Sequence, residues 1–216
     1  MAVPGRGASG DEGASRGRPV RARERAFHTV RIGRFSFGEF CDIVRQFHGS
    51  PAPGVLIGGY MVEMARQRLP EGVLFEALCE TGVCLPDAVQ LLTPCTLGNG
   101  RVHVIHVGRY ALTLYDKTTG EGARVFVDAQ RLAAWPEIHS WFLKQKPKAE
   151  QDSGRLLAEI EDAGTGLLGA QRVLVDMARV AKIKIGPVRL CPKCGEAYPS
   201  SDGELCGGCL GRLPYV

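Results

Sequence analysis

The sequence predicts an α+β core, with an antiparallel sheet packed against helices, followed by a small zinc finger. Three observations carry that expectation. Residues 101–107, 110–116 and 123–127 read as successive short strands with turns between them, a pattern of antiparallel pairing. Stretches with helical periodicity lie on either side of them. Cys191-Pro-Lys-Cys194 and Cys206-Gly-Gly-Cys209 stand eleven residues apart, a spacing that lets four thiolates close around one ion.

The first helix is expected to begin near Ser36. Ser36 and Glu39 have capping-box spacing, in which each side chain satisfies a backbone N–H that the first turn leaves unpaired. Phe37, Phe40, Cys41, Val44 and Phe47 then repeat at helical intervals as one apolar stripe. Pro51 and Pro53 stop the helix and make residues 48–54 a tight extended loop. A second helix follows over 55–68, with Gly58 and Gly59 leaving room for a close neighbour. Residues 73–80 read as a strand that packs Cys79.

Cys84 opens a short helix that Pro86 starts and Pro94 ends. The three strands come next, the last two joined by a hairpin loop over 117–122. Helices are predicted at 136–143, 151–162 and 170–181, and a strand or extended connector at 182–190.

The 216 residues are 44% hydrophobic and 23% charged, a globular balance for one domain with an appendix. No run approaches the roughly 18 apolar residues of a membrane span, and none sits near the first residue as a leader, so the expected location is cytoplasmic with no membrane partner. Net charge is +4, but residues 1–25 hold six Arg against Asp11, Glu12 and Glu24, which leaves +1 for the rest. That near-neutral body argues against nucleic acid as a partner. The expected division is a disordered tail over 1–25, a core domain over 26–186 and the zinc finger over 187–216.

Structural zinc on Cys191, Cys194, Cys206 and Cys209 is the firmest reading of the residues. The module is too short to bury a useful core, so ligation must supply its folding energy. With four thiolates the shell is closed and non-catalytic. From Cys191 onward Lys193 and Arg212 are the only bases, too few for a nucleic-acid footprint.

A second constellation lies in the core. His48 stands in the Pro/Gly loop, Cys84 at a helix start and Cys95 just past its end. An imidazole and two thiolates form a three-donor set with an open position, a second metal site in the core. Asp87 would accept a hydrogen bond from a ligand, and Gln90 follows on the same helical face. The expectation is that His48 and Cys84 approach to about 4 Å and that the helix terminus makes Cys84 the most acidic core thiol.

The stretch Phe47-His48-Gly49, then Pro53-Gly54, then CLPDAVQLLTPCTLGNG over 84–100, YDKTTGEG over 115–122 and CPKCGEAYP from Cys191 resembles the FmdE family of formylmethanofuran dehydrogenase components. The resemblance spans about 33–211. It implies an α+β core with an accessory treble-clef zinc finger, a homodimer, and a link to molybdenum- or tungsten-dependent formylmethanofuran or formate dehydrogenase chemistry through a partner oxidoreductase. The family's loop reads His-Gly-His-x-Cys-Pro-Gly; here Ser50 and Ala52 stand at the second His and the Cys. His48, Cys84, Asp87, Gln90 and Cys95 stay on matching positions.

Three functions remain open on these residues. One is a metal-binding accessory protein of that chemistry. The second is a cysteine-dependent enzyme with Cys84 as nucleophile and His48 as base. The third is a zinc-finger interaction protein with a vestigial core pocket and an Arg-rich tail that touches nucleic acid.

Overall fold

The computed structural model describes residues 31–181 and 186–215; the predicted tail over 1–25 lies outside them. Helix α1 spans Phe37–His48 and α2 spans Pro53–Arg66. Strand β1 (Phe75–Cys79) leads through α3 (Leu85–Leu92) to β2 (Val102–Val104), β3 (Ala111–Asp116) and β4 (Glu121–Val127). Two further helices, α4 (Pro136–Phe142) and α5 (Ser153–Ala163), precede β5 (Leu168–Leu174). The C-terminal module holds β6 (Val188–Leu190) and β7 (Ala197–Pro199).

The capping box is present at α1: the Ser36 hydroxyl accepts from the Glu39 N–H, and the Glu39 carboxylate accepts from the Ser36 N–H at 2.7 Å. Phe37, Phe40 and Val44 bury as expected, but Phe47 is 54% exposed at the helix end. Helix α2 is apolar nearly all round, which marks a helix buried on every side. It carries Val55, Leu56, Ile57, Tyr60 and Met61 into the core cluster, together with Leu112 and Leu114 of β3 and Ile160 of α5. Its two glycines face side chains. A Cβ on Gly58 would lie 2.7 Å from the Ala88 Cβ of α3, and one on Gly59 would lie 2.5 Å from the Phe40 ring.

The five-stranded sheet has the order β2-β1-β3-β4-β5. Pairing is antiparallel except between β1 and β2, which run parallel. The sequence pattern makes β2 the neighbour of β3; instead β1 lies between them. A parallel pair needs a crossover, and α3 supplies it by carrying the chain from the end of β1 to the start of β2. Cys84, at the head of α3, is thereby set at the end of the sheet.

The helix expected over 170–181 is absent. Leu168–Leu174 is a strand in full register with β4, from Glu121↔Leu174 to Val127↔Leu168. Without it the outer edge of β4 would present a row of unpaired backbone groups. Gly169 fits that pairing because the Phe126 ring occupies the place of a Cβ, 2.5 Å from where one would stand. A local apolar pattern cannot report such a demand from a strand more than 40 residues earlier. Of the extended stretch expected over 182–190, residues 182–185 lie outside the described chain and Val188–Leu190 is β6.

Candidate functional site

The four C-terminal cysteines converge. Their sulfurs all lie within 4.8 Å of one another, the only group of three or more His, Cys, Asp or Glu donors so gathered among the described residues. Two loops bring them together. In the first, the Gly195 N–H donates to the Cys191 carbonyl at 2.8 Å, and Gly195 takes φ 79°, a backbone that a side chain resists. In the second, the Cys209 N–H donates to the Cys206 sulfur at 3.4 Å.

Cys194 Sγ and Cys206 Sγ are 3.6 Å apart. Tetrahedral zinc with bonds of about 2.3 Å sets its sulfurs about 3.8 Å apart, so the donor set fits that ion. Backbone N–H groups of Cys206 and Cys194 hold the Cys191 thiol down at about 6, while burial pushes Cys209 up to about 12. Beneath the thiols Tyr198 is buried, receiving a hydrogen bond from Arg189 Nε at 2.6 Å and donating to the Gly203 carbonyl at 2.9 Å.

The core constellation is arranged differently from the three-donor set. His48, at the end of α1, does face the first turn of α3. Its Nδ1 meets Asp87 Oδ2 at 2.7 Å, with both side chains 30% exposed. Asp87 thus orients the imidazole and leaves Nε2 as the free donor, the arrangement a carboxylate gives a metal-binding histidine. Cys84 is half-buried at the head of the same helix, and its thiol does not join His48 and Asp87 in a three-donor group. Its thiol is not acidified: burial, and then the Asp87 carboxylate, push it above its ordinary value. Burial pushes the Cys41 and Cys79 thiols up as well, so these three core thiols all stand above their ordinary value.

Cys95 is fully buried and its thiol meets the Phe75 carbonyl at 3.4 Å. His48, Cys84 and Cys95 do not form a mutual cluster. Gln90 Oε1 accepts from the Leu97 N–H at 3.1 Å and so closes the loop after α3. Cys79 is buried on β1, its thiol pushed up to about 12 by burial.

Tyr110 carries no sequence signal for this site, and Gly54 appears in the sequence only as the end of the family's loop motif. Cys84 has φ 63° and ψ −43°, and the Leu85 N–H bonds back to the Val83 carbonyl at 2.7 Å, a γ-turn centred on the cysteine. Against its sulfur lies Gly54, in the first turn of α2. Tyr110 donates from its hydroxyl to the Gly54 carbonyl at 2.6 Å, and burial keeps the phenol protonated. Its ring packs edge-on against Phe142 at 5.8 Å. The preceding Arg109 pairs at 2.7 Å with Glu80, which also takes a bidentate bond from Arg124. That Tyr110 meets Gly54, 56 residues away, is a product of the fold alone.

Two grooves of about 540 and 520 Å³ open around Arg66, Leu92 and Pro94. Neither is lined by a thiol or an imidazole.

Residues 47–175 match the family described as "FmdE, Molybdenum formylmethanofuran dehydrogenase operon", and residues 182–216 match the "FmdE treble clef zinc finger". A solved structure, that of a tungsten formylmethanofuran dehydrogenase FmdE-like protein from Syntrophus aciditrophicus, is 50% identical. It superposes with a TM-score of 0.80 over 87% of this chain and 99% of its own. A curated relative from Archaeoglobus fulgidus, described as a probable S-adenosyl-L-methionine-binding protein, is 30% identical over 195 residues and covers 80% of this chain. The chain spans about half of that relative's length, 52%.

Proposed function

The chain belongs to the FmdE family, and from that premise we propose that it is a metal-binding accessory protein of molybdenum- or tungsten-dependent formylmethanofuran or formate dehydrogenase chemistry. In this reading Cys191, Cys194, Cys206 and Cys209 hold structural zinc. His48 Nε2 and Cys84 Sγ supply two donors to a second metal in the core, with Asp87 as the group that orients His48. Cys95 and Gln90 are assigned to packing and loop closure. The protein acts in the cytoplasm as a homodimer and delivers its service to a partner oxidoreductase.

The observation that carries the core assignment is the 2.7 Å bond that His48 Nδ1–H donates to the Asp87 carboxylate. It selects the tautomer with Nε2 as donor and fixes the ring before any ion arrives. Two protein donors make a weaker site than four. The metal is therefore held less firmly here than in the zinc finger, with water or a partner completing its shell.

Metal content per chain tests the reading. The parent is expected to carry one firmly held zinc and a second, partly filled metal. His48→Ala and Cys84→Ala should each remove the second alone. Ser50→His with Ala52→Cys should fill it, since each adds a donor to the same loop. One metal in every variant would sink the core assignment. Recovery of a molybdenum or tungsten enzyme with this chain from native extract tests the partner.

The cysteine-enzyme reading gains something from the same Asp87–His48 pair, because a carboxylate-held imidazole is also how a general base is positioned. The raised Cys84 thiol weighs against it. The Archaeoglobus relative makes S-adenosylmethionine the first small molecule to titrate against the pocket.

A further inference from the structure

We infer that Tyr110 is a positioning residue for Cys84, acting through Gly54; the inference rests on the reading of Cys84 as a metal donor. Three observations meet at one point. A Cβ placed on Gly54 would lie 2.9 Å from both Cys84 Cβ and Cys84 Sγ, and 2.8 Å from the Tyr110 hydroxyl oxygen. The thiol and the phenol therefore pack against the same face of the first turn of α2, which only a residue without a side chain leaves open. The Tyr110 hydroxyl is bonded to the Gly54 carbonyl at 2.6 Å, so it cannot drift toward the sulfur.

Cys84 also sits at the centre of a positive-φ γ-turn, a conformation that costs about 1–3 kcal/mol and persists only where the surroundings hold it. Gly54 supplies the wall on one side. Tyr110 holds that wall in place, and is itself held by Phe142 edge-on and by the adjacent Arg109–Glu80 pair. The sulfur is thereby given one position before any ligand binds. Removing the hydroxyl leaves the ring packed but takes away the second hydrogen bond on the Gly54 carbonyl, which keeps its partner within α2, and opens space beside the sulfur.

The test uses the full chain with zinc retained in the finger and Co²⁺ added as probe. In the parent, the near-ultraviolet sulfur-to-cobalt band and its titration give the affinity of the Cys84 site. Tyr110→Phe is expected to raise the cobalt Kd about tenfold, the usual loss when an outer partner of a ligand is removed, and to shift the band. Gly54→Ala, which displaces the sulfur directly, should do the same and serves if the first variant folds poorly. A readout free of metal runs alongside. Iodoacetamide alkylation of Cys84, followed by mass spectrometry at fixed pH, should speed up in both variants as the thiol loosens.

Parental Kd, band and alkylation rate in Tyr110→Phe overturn the positioning role. A parent that binds no cobalt beyond the zinc finger, or a band that survives Cys84→Ala, overturns instead the metal reading of the pocket. The alkylation comparison then still decides for or against Tyr110.

Discussion

Cys84 stands with φ 63°, where a Cβ is strained, and its side chain makes no helix-capping bond. Replacing it by Ala keeps the strain and loses the thiol; replacing it by Gly loses the thiol and the strain together. Cys84→Gly should therefore be more stable than Cys84→Ala by about 1 kcal/mol in urea unfolding, although both lose the proposed second metal. Equal stabilities would mean that the turn relaxes. Glu80 offers a second test at this scale. It is 3% exposed, and hydrogen bonding from Arg124 and the charge of Arg109 lower its pKa. A depressed carboxylate contributes stability above its unfolded pKa, about 4.3, and loses it as pH falls through the lower folded value. Glu80→Gln should lower stability at pH 7 by about 3 kcal/mol, because it leaves Arg124 unpaired. The gap between parent and variant should close below about pH 4. A gap unchanged down to about pH 3 would show that the charge of Glu80 contributes nothing.

Among the elements, α2 packs against α1, α3, α5 and strands β3, β4 and β5, and its glycines set how closely α1 and α3 approach. In Gly58→Ala two effects compete. Helix propensity favours Ala by about 1 kcal/mol. Against it, the new Cβ would stand 2.7 Å from Ala88 Cβ and 3.2 Å from Leu85 Cδ2. Ala88 Cβ cannot rotate aside, so α3 must move away, and overpacking of this kind costs about 1–3 kcal/mol. The clash wins, with a net loss of about 1 kcal/mol. Gly38→Ala in α1 is the control: nothing stands within 4 Å of its Cβ, so propensity alone should raise stability by about 0.5 kcal/mol. Thermal denaturation of the two variants should shift in opposite directions.

Among the described residues of the whole molecule, two separate hydrophobic clusters form. One runs through the core, and the other consists of Cys191, Tyr198 and Cys206 with Leu205 and Cys209 beside them. So small a second cluster cannot fold on apolar burial, and the ion must supply the difference. Chelation at neutral pH is expected to abolish amide protection over 187–215 and leave the main calorimetric transition of the core in place. Cys194→Ser should do the same without chelator. Loss of core protection in step with the module would show a single cooperative unit, and the proposed division near residue 186 would fall.

The zinc ligands, the Ser36–Glu39 cap, the α2 and α3 helices and the β3–β4 hairpin were all legible in the sequence. Each rests on spacing within a short stretch: capping, periodicity, proline stops and paired thiols are local rules. His48 and Asp87 were legible as members of one constellation, with Asp87 as an acceptor; that the two bond each other came only from the fold. What the tertiary structure alone decided has long-range causes. β1 inserts between β2 and β3 because α3 crosses over; residues 168–174 become a strand because β4 needs a partner at its edge. Cys95 turns to the Phe75 carbonyl instead of the pocket, and Tyr110 reaches Gly54 across 56 residues. Cys84 shows the division within one residue. Its place at the head of α3 follows from the sequence. The raised thiol and the strained turn follow from burial and from a glycine and a tyrosine that only the packed fold brings beside it.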